Sequence, residues 1–338
     1  MVELWLGLQH GDRREVLEVA AGASGRPAYL LEKDIWVVWA IQTLFGVPIG
    51  APLVFKGGTS LSKAYRAIGR FSEDVDLTYD IRALAPDLVG DSPDALPTSR
   101  SQEQRWTREV RRRLAAWMHD EASPFLEKGL YAAGADGGIR VEDGELFIRY
   151  APLSEGTGYV RPEVKLEFGA RATGEPNTPM PIRCDAADYV PDVEFPTAVP
   201  RVMLVERTFW EKATAVHVYC LQGRLRSERF ARHWYDLTRL DSTGLAQRAL
   251  ADRETANAVA AHKAIFFREK DASGNWIDYG AAVTGGLQLV PAGDSLTALA
   301  DDYARMVEDR LLLEEAEPFD VLMDICRAIA EKANLLDC

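Results

Sequence analysis

Apolar and polar positions alternate along the chain at two different periods, and each period predicts an element. In LEKDIWVVWAIQTLFG the residues Ile35, Val38, Ala40, Leu44 and Phe45 recur at helical spacing, which predicts a mostly buried helix ending at Gly46. PLVF predicts a short buried strand, KGGTS a turn, and SLSKAYRAIG a helix with Leu61, Tyr65 and Ile68 along one side. DVDLTYD is a strand by its alternation and its β-branched and aromatic content. The run from Ala83 to Ser101 is rich in proline, aspartate and serine and predicts a loop. Ser101 and Gln104 form a capping box for the basic helix QEQRWTREVRRRLAAWMHDEA.

Two strand-like runs follow, GELFIRYAPL and YVRPEVKLEFG. Residues 170–200 carry many prolines and no period, as a covering loop or a linker would. Beyond Val202 the pattern turns almost wholly helical: RVMLVERTFWEKATAVHVYCLQG, SERFARHWYDLTRLDSTG, LAQRALADRETANAVAAHKAIFF, SLTALADDYARMVED and FDVLMDICRAIAEKANLL. No internal repeat and no low-complexity segment occurs. The expectation is an α+β chain, with a mixed sheet and flanking helices in residues 1–200 and a mainly helical domain in 201–338.

Composition narrows this little. At 338 residues, 47% hydrophobic and 27% charged, the chain is an ordinary globular one, long enough for one large domain or two. No apolar run approaches the length of a membrane span, and the opening MVELWLGLQHGDRREV has no signal-peptide pattern. Cys184, Cys220, Cys326 and Cys338 are scattered and read as reduced thiols in a cytoplasm, without a zinc or disulfide framework. A formal charge of −13 argues against a protein that coats nucleic acid through its overall field. Local basic patches remain open at Arg105–Leu114 and Gly223–Trp234; each reads either as a solvated helix face or as a place for nucleic-acid phosphates.

The chemistry concentrates in LVFKGGTSLSKAYRAIGRFSEDVDLTYD. Gly57 and Gly58 let the backbone turn sharply after a strand and approach a ligand. The N–H groups at the start of the next helix suit a phosphate, and the Ser60 hydroxyl could add a donor. The spacing is not that of a Walker loop. Asp74 and Asp76, two apart on a strand, point to one face while Val75 and Leu77 point to the other. Two neighbouring carboxylates form either a solvated acidic edge or a site for a hard cation such as Mg²⁺. A helix of about ten residues, roughly 15 Å long, returns the chain from the glycine turn to these acids. Phosphate cradle and metal ligands then face one cleft, which suits phosphoryl-type transfer. Lys63 and Arg66 follow the turn closely enough to reach a γ-phosphate, or to lie on a solvated helix face.

This stretch, Lys56-Gly-Gly-Thr-Ser-Leu-Ser-Lys63 followed by Phe71-Ser-Glu-Asp-Val-Asp-Leu77, resembles the AbiEii/MenT-type nucleotidyltransferase toxins of the DNA polymerase β-like nucleotidyltransferase superfamily. Glu32-Lys-Asp34, Glu206-Arg-Thr-Phe-Trp-Glu-Lys212 and Arg232-His-Trp-Tyr-Asp236 resemble the family too. The likeness spans roughly residues 30–240; the last hundred residues are helical in a compatible way and carry no matching motif.

The resemblance implies a nucleotidyltransferase-like sheet whose site is completed by the helical domain. It implies that Gly58 and Ser60 hold the nucleotide's phosphates and that Asp74 and Asp76 bind the catalytic metal; Gly57, Thr59, Lys63 and Arg66 join the nucleotide-binding candidates by their place in and after the turn. Lys212 would lie near the triphosphate, and Asp236 would be a further acidic residue. Glu167 matches a third carboxylate, unless Lys165 is the site residue and Glu167 its structural partner. Ser72 lies where some relatives are phosphorylated, and a dianion there would crowd the acids. Asp236 reads otherwise as a partner of Arg232, and His217 and His233 read as structural or solvent-facing.

The implied function is Mg²⁺-dependent transfer of a nucleotide from an NTP to RNA, with the tRNA 3′ end as acceptor. That activity belongs to the toxin of a bacterial toxin–antitoxin or phage-defence pair that blocks translation beside a cognate antitoxin. Arg108, Arg111, Arg112, Arg229 and Arg232 are the expected RNA contacts. Two alternatives keep their place: transfer to a protein or small molecule, and a nucleotide-binding interaction module without turnover.

Overall fold

The computed structural model describes residues 3–92, 94–156, 160–223, 229–309 and 311–335. Two compact units emerge. The first comprises Met1–Ala64, Phe71–Ala95 and Arg105–Met203; the second comprises Tyr65–Arg70, Leu96–Gln104 and Leu204–Cys338.

The first unit is built on a seven-stranded mixed sheet. Its strands in chain order are β1 (Leu53–Lys56), β2 (Asp74–Tyr79), β3 (Gly137–Glu142), β4 (Glu145–Tyr150), β5 (Glu163–Gly169), β6 (Asn177–Pro179) and β7 (Arg201–Met203). They lie in the order β3-β4-β5-β2-β1-β7-β6. The β2–β5 and β1–β7 pairs are parallel and the others antiparallel. Alternation sorts the faces: Val75, Leu77, Leu146, Ile148, Val164 and Leu166 are fully buried, and the residues between them are not.

The unit's helices are α1 (His10–Ser24), α2 (Ala28–Phe45), α3 (Gly57–Lys63), α4 (Arg100–Trp117) from Arg105 onward, and α5 (Ser123–Ala132). α2 is buried on nearly every side and packs against β5, and its Trp36 stacks on Tyr150 of β4 at 5.3 Å. Each such buried side chain contributes about 1.5–3 kcal/mol relative to exposure.

The second unit is helical, with α6 (Val205–Gln222), α7 (Ala231–Ser242), α8 (Leu245–Ala251), α9 (Arg253–Phe266), α10 (Asp294–Glu308) and α11 (Phe319–Leu335). Trp210 and Trp234 are fully buried in it, and their indole N–H groups donate to the Ala249 and Leu289 carbonyls at 2.8 and 2.7 Å.

The α+β expectation holds, while several local expectations need correction. α3 begins at Gly57 itself and stops at Lys63, shorter than expected, and Arg66 beyond it adopts a left-handed φ of 51°. The expected loop before α4 contains two one-turn helices, Ile81–Leu84 and Pro86–Val89. The α4 cap lies two residues earlier than expected: Ser99 Oγ accepts the Gln102 N–H at 3.2 Å, and the Gln102 side chain accepts the Thr98 N–H at 2.7 Å.

Strand β3 was not anticipated. It pairs with β4 around Asp143 and Gly144, whose φ angles of 51° and 81° make a two-residue hairpin turn. The proline-rich run before residue 200 supplies the edge strand β6, and Arg201–Met203 is a sheet strand rather than the first turn of a helix. The helical run from Leu245 breaks at Asp252, whose side chain accepts the Thr255 N–H and caps α9. Among the described residues no helix is long and apolar enough to cross a membrane. Cys184, Cys220 and Cys326 are free thiols, and Cys338 lies outside the described residues.

Candidate active site

β1 delivers the chain to Gly57, the first residue of α3, at a φ of 76° that favours glycine. A Cβ at this position would lie 2.7 Å from Asp76 Cγ and 2.9 Å from Asp76 Cβ, so the Asp76 side chain fills the space a side chain on residue 57 would need. Asp76 stands opposite Lys56 on β1 and opposite Glu167 on β5; Asp74 stands opposite Lys165. Partners across a ladder share a face, so Lys56, Asp74, Asp76, Lys165 and Glu167 all belong to the polar face of the sheet.

α3 is tied to the same strand. Thr59 is buried, and its hydroxyl bonds the Asp74 carbonyl and lies 2.9 Å from Ser72 Oγ. Ser60 is buried too, and its hydroxyl donates to the Gly57 carbonyl at 2.9 Å, holding the bend closed. Gly58 is buried in the first turn.

Lys165 reaches Glu145 at 2.7 Å and Glu167 at 2.6 Å. Burial alone would lower the Lys165 pKa, but hydrogen bonds to these two carboxylates raise it, so the ammonium stays charged. Glu167 therefore shares the face of Asp76 while paired with Lys165. Among the described residues no three His, Cys, Asp or Glu side chains converge as a ligand set. Asp74 and Asp76 nevertheless suit a nucleotide-bound Mg²⁺, which takes one or two carboxylates and completes its shell with phosphate oxygens and water.

Three consecutive charged residues of α2 are buried, and each anchors a different segment of the unit. The Glu32 carboxylate accepts the Leu153 N–H at 3.0 Å, and burial pushes its pKa up to about 7. Lys33 donates to Glu73, next to Asp74, at 2.7 Å and to the Arg161 carbonyl at 3.2 Å. Asp34 pairs with Lys63 and accepts the Asp185 N–H at 2.7 Å. Lys63 also meets the Asp185 carboxylate at 2.7 Å, and Arg26 pairs with that carboxylate in turn. Burial raises Asp34 to about 6, against the pull of Lys63. Lys63 is thus engaged by two carboxylates, while Arg66 is exposed.

The helical unit holds its own charge cluster. Asp236 is fully buried; Arg70 grips it with two hydrogen bonds of 2.7 and 2.8 Å, and Lys212 joins at 2.8 Å. Burial would raise the Asp236 pKa, but the two cations outweigh it and hold the carboxyl well below the usual range. Sequence reasoning offered Arg232 as the partner and missed Arg70, whose only signal was its place four residues before Asp74. His217 is buried and its Nδ1 accepts the Gln288 N–H at 3.0 Å; burial lowers its pKa to about 4.

Of the arginines expected to meet RNA, Arg108, Arg111 and Arg112 are exposed on α4, with Arg112 bound to Glu109 at 2.7 Å. Arg229 is exposed and its backbone N–H is held by Asp302 at 2.8 Å, while Arg232 is half-buried. Residues 224–228 of that basic stretch lie outside the described residues.

A family model described as nucleotidyl transferase AbiEii toxin, type IV toxin–antitoxin system, matches residues 42–325. A comparison with curated proteins finds no match. Among solved structures, MenT4, a nucleotidyltransferase toxin from Mycobacterium tuberculosis H37Rv, is 17% identical; the match covers 98% of this chain and 99% of that one, with a TM-score of 0.43. JHP933 from Helicobacter pylori is 15% identical, with 91% and 93% covered and a TM-score of 0.41.

Proposed function

The chain belongs to the AbiEii family of nucleotidyl transferase toxins of type IV toxin–antitoxin systems, and from that premise we propose that it transfers a nucleoside monophosphate from an NTP to the 3′ end of an RNA, with tRNA as acceptor. The observation that carries this reading is the Asp76 carboxylate packed against Gly57, with Asp74 on the same strand face.

In this reading Gly57 and Gly58 bring backbone close to the triphosphate, and Asp74 and Asp76 hold Mg²⁺. The metal, when bound, neutralises charge on the transferring phosphate. An acceptor hydroxyl attacks the α-phosphorus; its bond forms as the bond to pyrophosphate breaks. Thr59 and Ser60 keep the bend rigid. Lys165, held charged by Glu145 and Glu167, is a fixed positive group on that face, and Glu167 serves as its structural partner. Lys212 and Asp236 are proposed to serve the same reaction, with Asp236 and Arg70 fixing the lysine's position. The exposed Arg108 and Arg111 are proposed RNA contacts. Blocked aminoacylation, arrested translation in the cytoplasm and a cognate antitoxin then complete the toxin's role, with phage defence as one setting.

The test is in vitro transcribed tRNA incubated with Mg²⁺ and each labelled NTP in turn, resolved on a sequencing gel beside an Asp74→Ala control. Parallel pools of protein and small molecules take the same label. Labelled tRNA that depends on Asp74 supports the reading; label confined to another pool would overturn the RNA acceptor.

A further inference from the structure

The helical unit carries a second surface that the residues discussed above do not explain. After α9 ends, the chain folds back as a hairpin from Glu269 to Ile277. The Asp271 N–H donates to the Asn275 carbonyl at 2.9 Å and the Ile277 N–H to the Glu269 carbonyl at 3.0 Å, while Gly274 turns at a φ of 86°. The Asp271 carboxylate accepts the N–H groups of Ser273 and Asn275 at 2.8 and 2.9 Å, which locks the turn.

This hairpin holds Trp276 with 55% of its surface in water. The Arg268 guanidinium lies 4.3 Å from the indole centroid and the Lys270 ammonium 5.0 Å from it. Beside the ring is a cleft of about 400 Å³, bounded by Arg268, Trp276 and Ile277 and by Pro97, Arg100 and Glu103. That volume accepts a ligand of nucleotide size.

Two nearby acids are engaged elsewhere: Glu269 accepts the Gln222 amide at 3.0 Å and Asp271 is spent on its own turn. Glu103 lines the cleft itself and is paired there with Arg100. Cations around an exposed aromatic ring favour a polyanion with flat bases over an ordinary protein surface.

We propose that this cleft holds an unpaired nucleotide of single-stranded RNA, its base against Trp276 and its phosphates beside Arg268 and Lys270. The inference rests on the reading of an RNA acceptor and adds an anchor for that acceptor away from the transferring residues. Stacking on an indole accepts every base, so the anchor grips unpaired RNA with little sequence preference.

The experiment is fluorescence anisotropy with a labelled single-stranded RNA of about twelve nucleotides, a length within known single-strand site sizes. The same sequence as a duplex is the control. Trp276→Ala weakens single-strand binding about tenfold, Trp276→Phe keeps most of it, and the duplex binds no better to wild type than to Trp276→Ala. Arg268→Glu weakens binding and flattens its salt dependence. Asp76→Asn leaves it unchanged. Because Trp276 is exposed, all variants at that position melt with the wild type.

Equal single-strand affinity in wild type, Trp276→Ala and Arg268→Glu overturns the proposal, as does a wild type that binds no oligonucleotide. A Trp276→Ala defect seen only in the grip of a protein antitoxin overturns it as well. Trp276-dependent RNA binding by a wild type that labels no RNA supports the cleft and defeats the acceptor reading instead.

Discussion

The Asp76 carboxylate occupies the space that a side chain on Gly57 would need. A glycine after a strand usually serves only to let the chain bend. Here the bend is also a close approach, because β1 and β2 are antiparallel neighbours and the first residue of α3 comes back onto the acid. The absent Cβ therefore joins the glycine turn to the aspartate pair. Sequence alone proposed that the two share a pocket; the structure packs Gly57 on Asp76.

Gly57→Ala tests that relationship. The methyl group would collide with Asp76 and would also sit at a left-handed φ, so the variant should lose about 1–3 kcal/mol of stability. Nucleotidyl transfer should fall far more steeply, on the order of a hundredfold, since a small misplacement of a reacting group is enough. Thermal melts and initial transfer rates measure the two effects. A folded Gly57→Ala protein with wild-type turnover would show that Asp76 can move without consequence.

Lys63 offers a contrast between a nucleotide contact and an internal tie. Its ammonium is engaged by Asp34 and Asp185, so Lys63→Met should cost about 3–5 kcal/mol, chiefly by stranding the buried Asp34 carboxylate, since Asp185 is partly exposed and keeps Arg26. The loss has a sign in pH. Asp34 is already raised to about 6 by burial, and removing Lys63 lifts it further. A carboxyl with a raised folded pKa contributes stability at low pH and loses it as pH rises through that value. The variant should therefore be weakest near pH 8 and recover toward pH 5 in urea unfolding. A raised KM for NTP with an unchanged melt would instead return Lys63 to the nucleotide.

Asp236 titrates in the opposite sense. Arg70 and Lys212 hold its folded pKa below the unfolded carboxylate value, so its contribution is present above about pH 4 and drains away as pH falls further. Asp236→Asn should cost about 3–5 kcal/mol at pH 7, because two buried cations lose their counterion. The gap between wild type and variant should narrow between about pH 5 and pH 3. Lys212→Met leaves Arg70 on the carboxylate and should cost less, about 1–3 kcal/mol. A gap that stays constant with pH would mean that the carboxylate's charge is irrelevant to folding.

How much of this was legible depends on how local each cause is. The alternation of Asp74 and Asp76 with Val75 and Leu77 is a property of neighbouring residues, and it gave the strand and its two faces directly. Asp143-Gly144 carried an equally local hairpin signal, so β3 was available to be read. The Arg70–Asp236 pair spans 166 positions, and no periodicity reports a partner that far along the chain. The charged triplet of α2 is similar: Glu32, Lys33 and Asp34 read as a helix start, yet their burial is set by Leu153, Glu73 and Asp185 on distant segments. The end of α3 at Lys63 was also hidden, since Leu61, Tyr65 and Ile68 continue a helical rhythm past the point where the helix stops.

A metal requirement is the prediction that the donor set makes. With only two aspartates offered by the strand, most of the shell around the ion must come from the nucleotide and water, so the protein alone should bind Mg²⁺ weakly and the NTP complex tightly. EDTA should stop transfer, and added Mg²⁺ should restore it. Asp76→Asn removes one charged ligand, and transfer should need at least about tenfold more Mg²⁺ for half-maximal rate, a shift worth roughly 1.4 kcal/mol. Titrating Mg²⁺ at saturating NTP measures this. If wild type and Asp76→Asn share one metal-response curve, the carboxylate beside Gly57 holds no ion, and its role must be sought in positioning the bend.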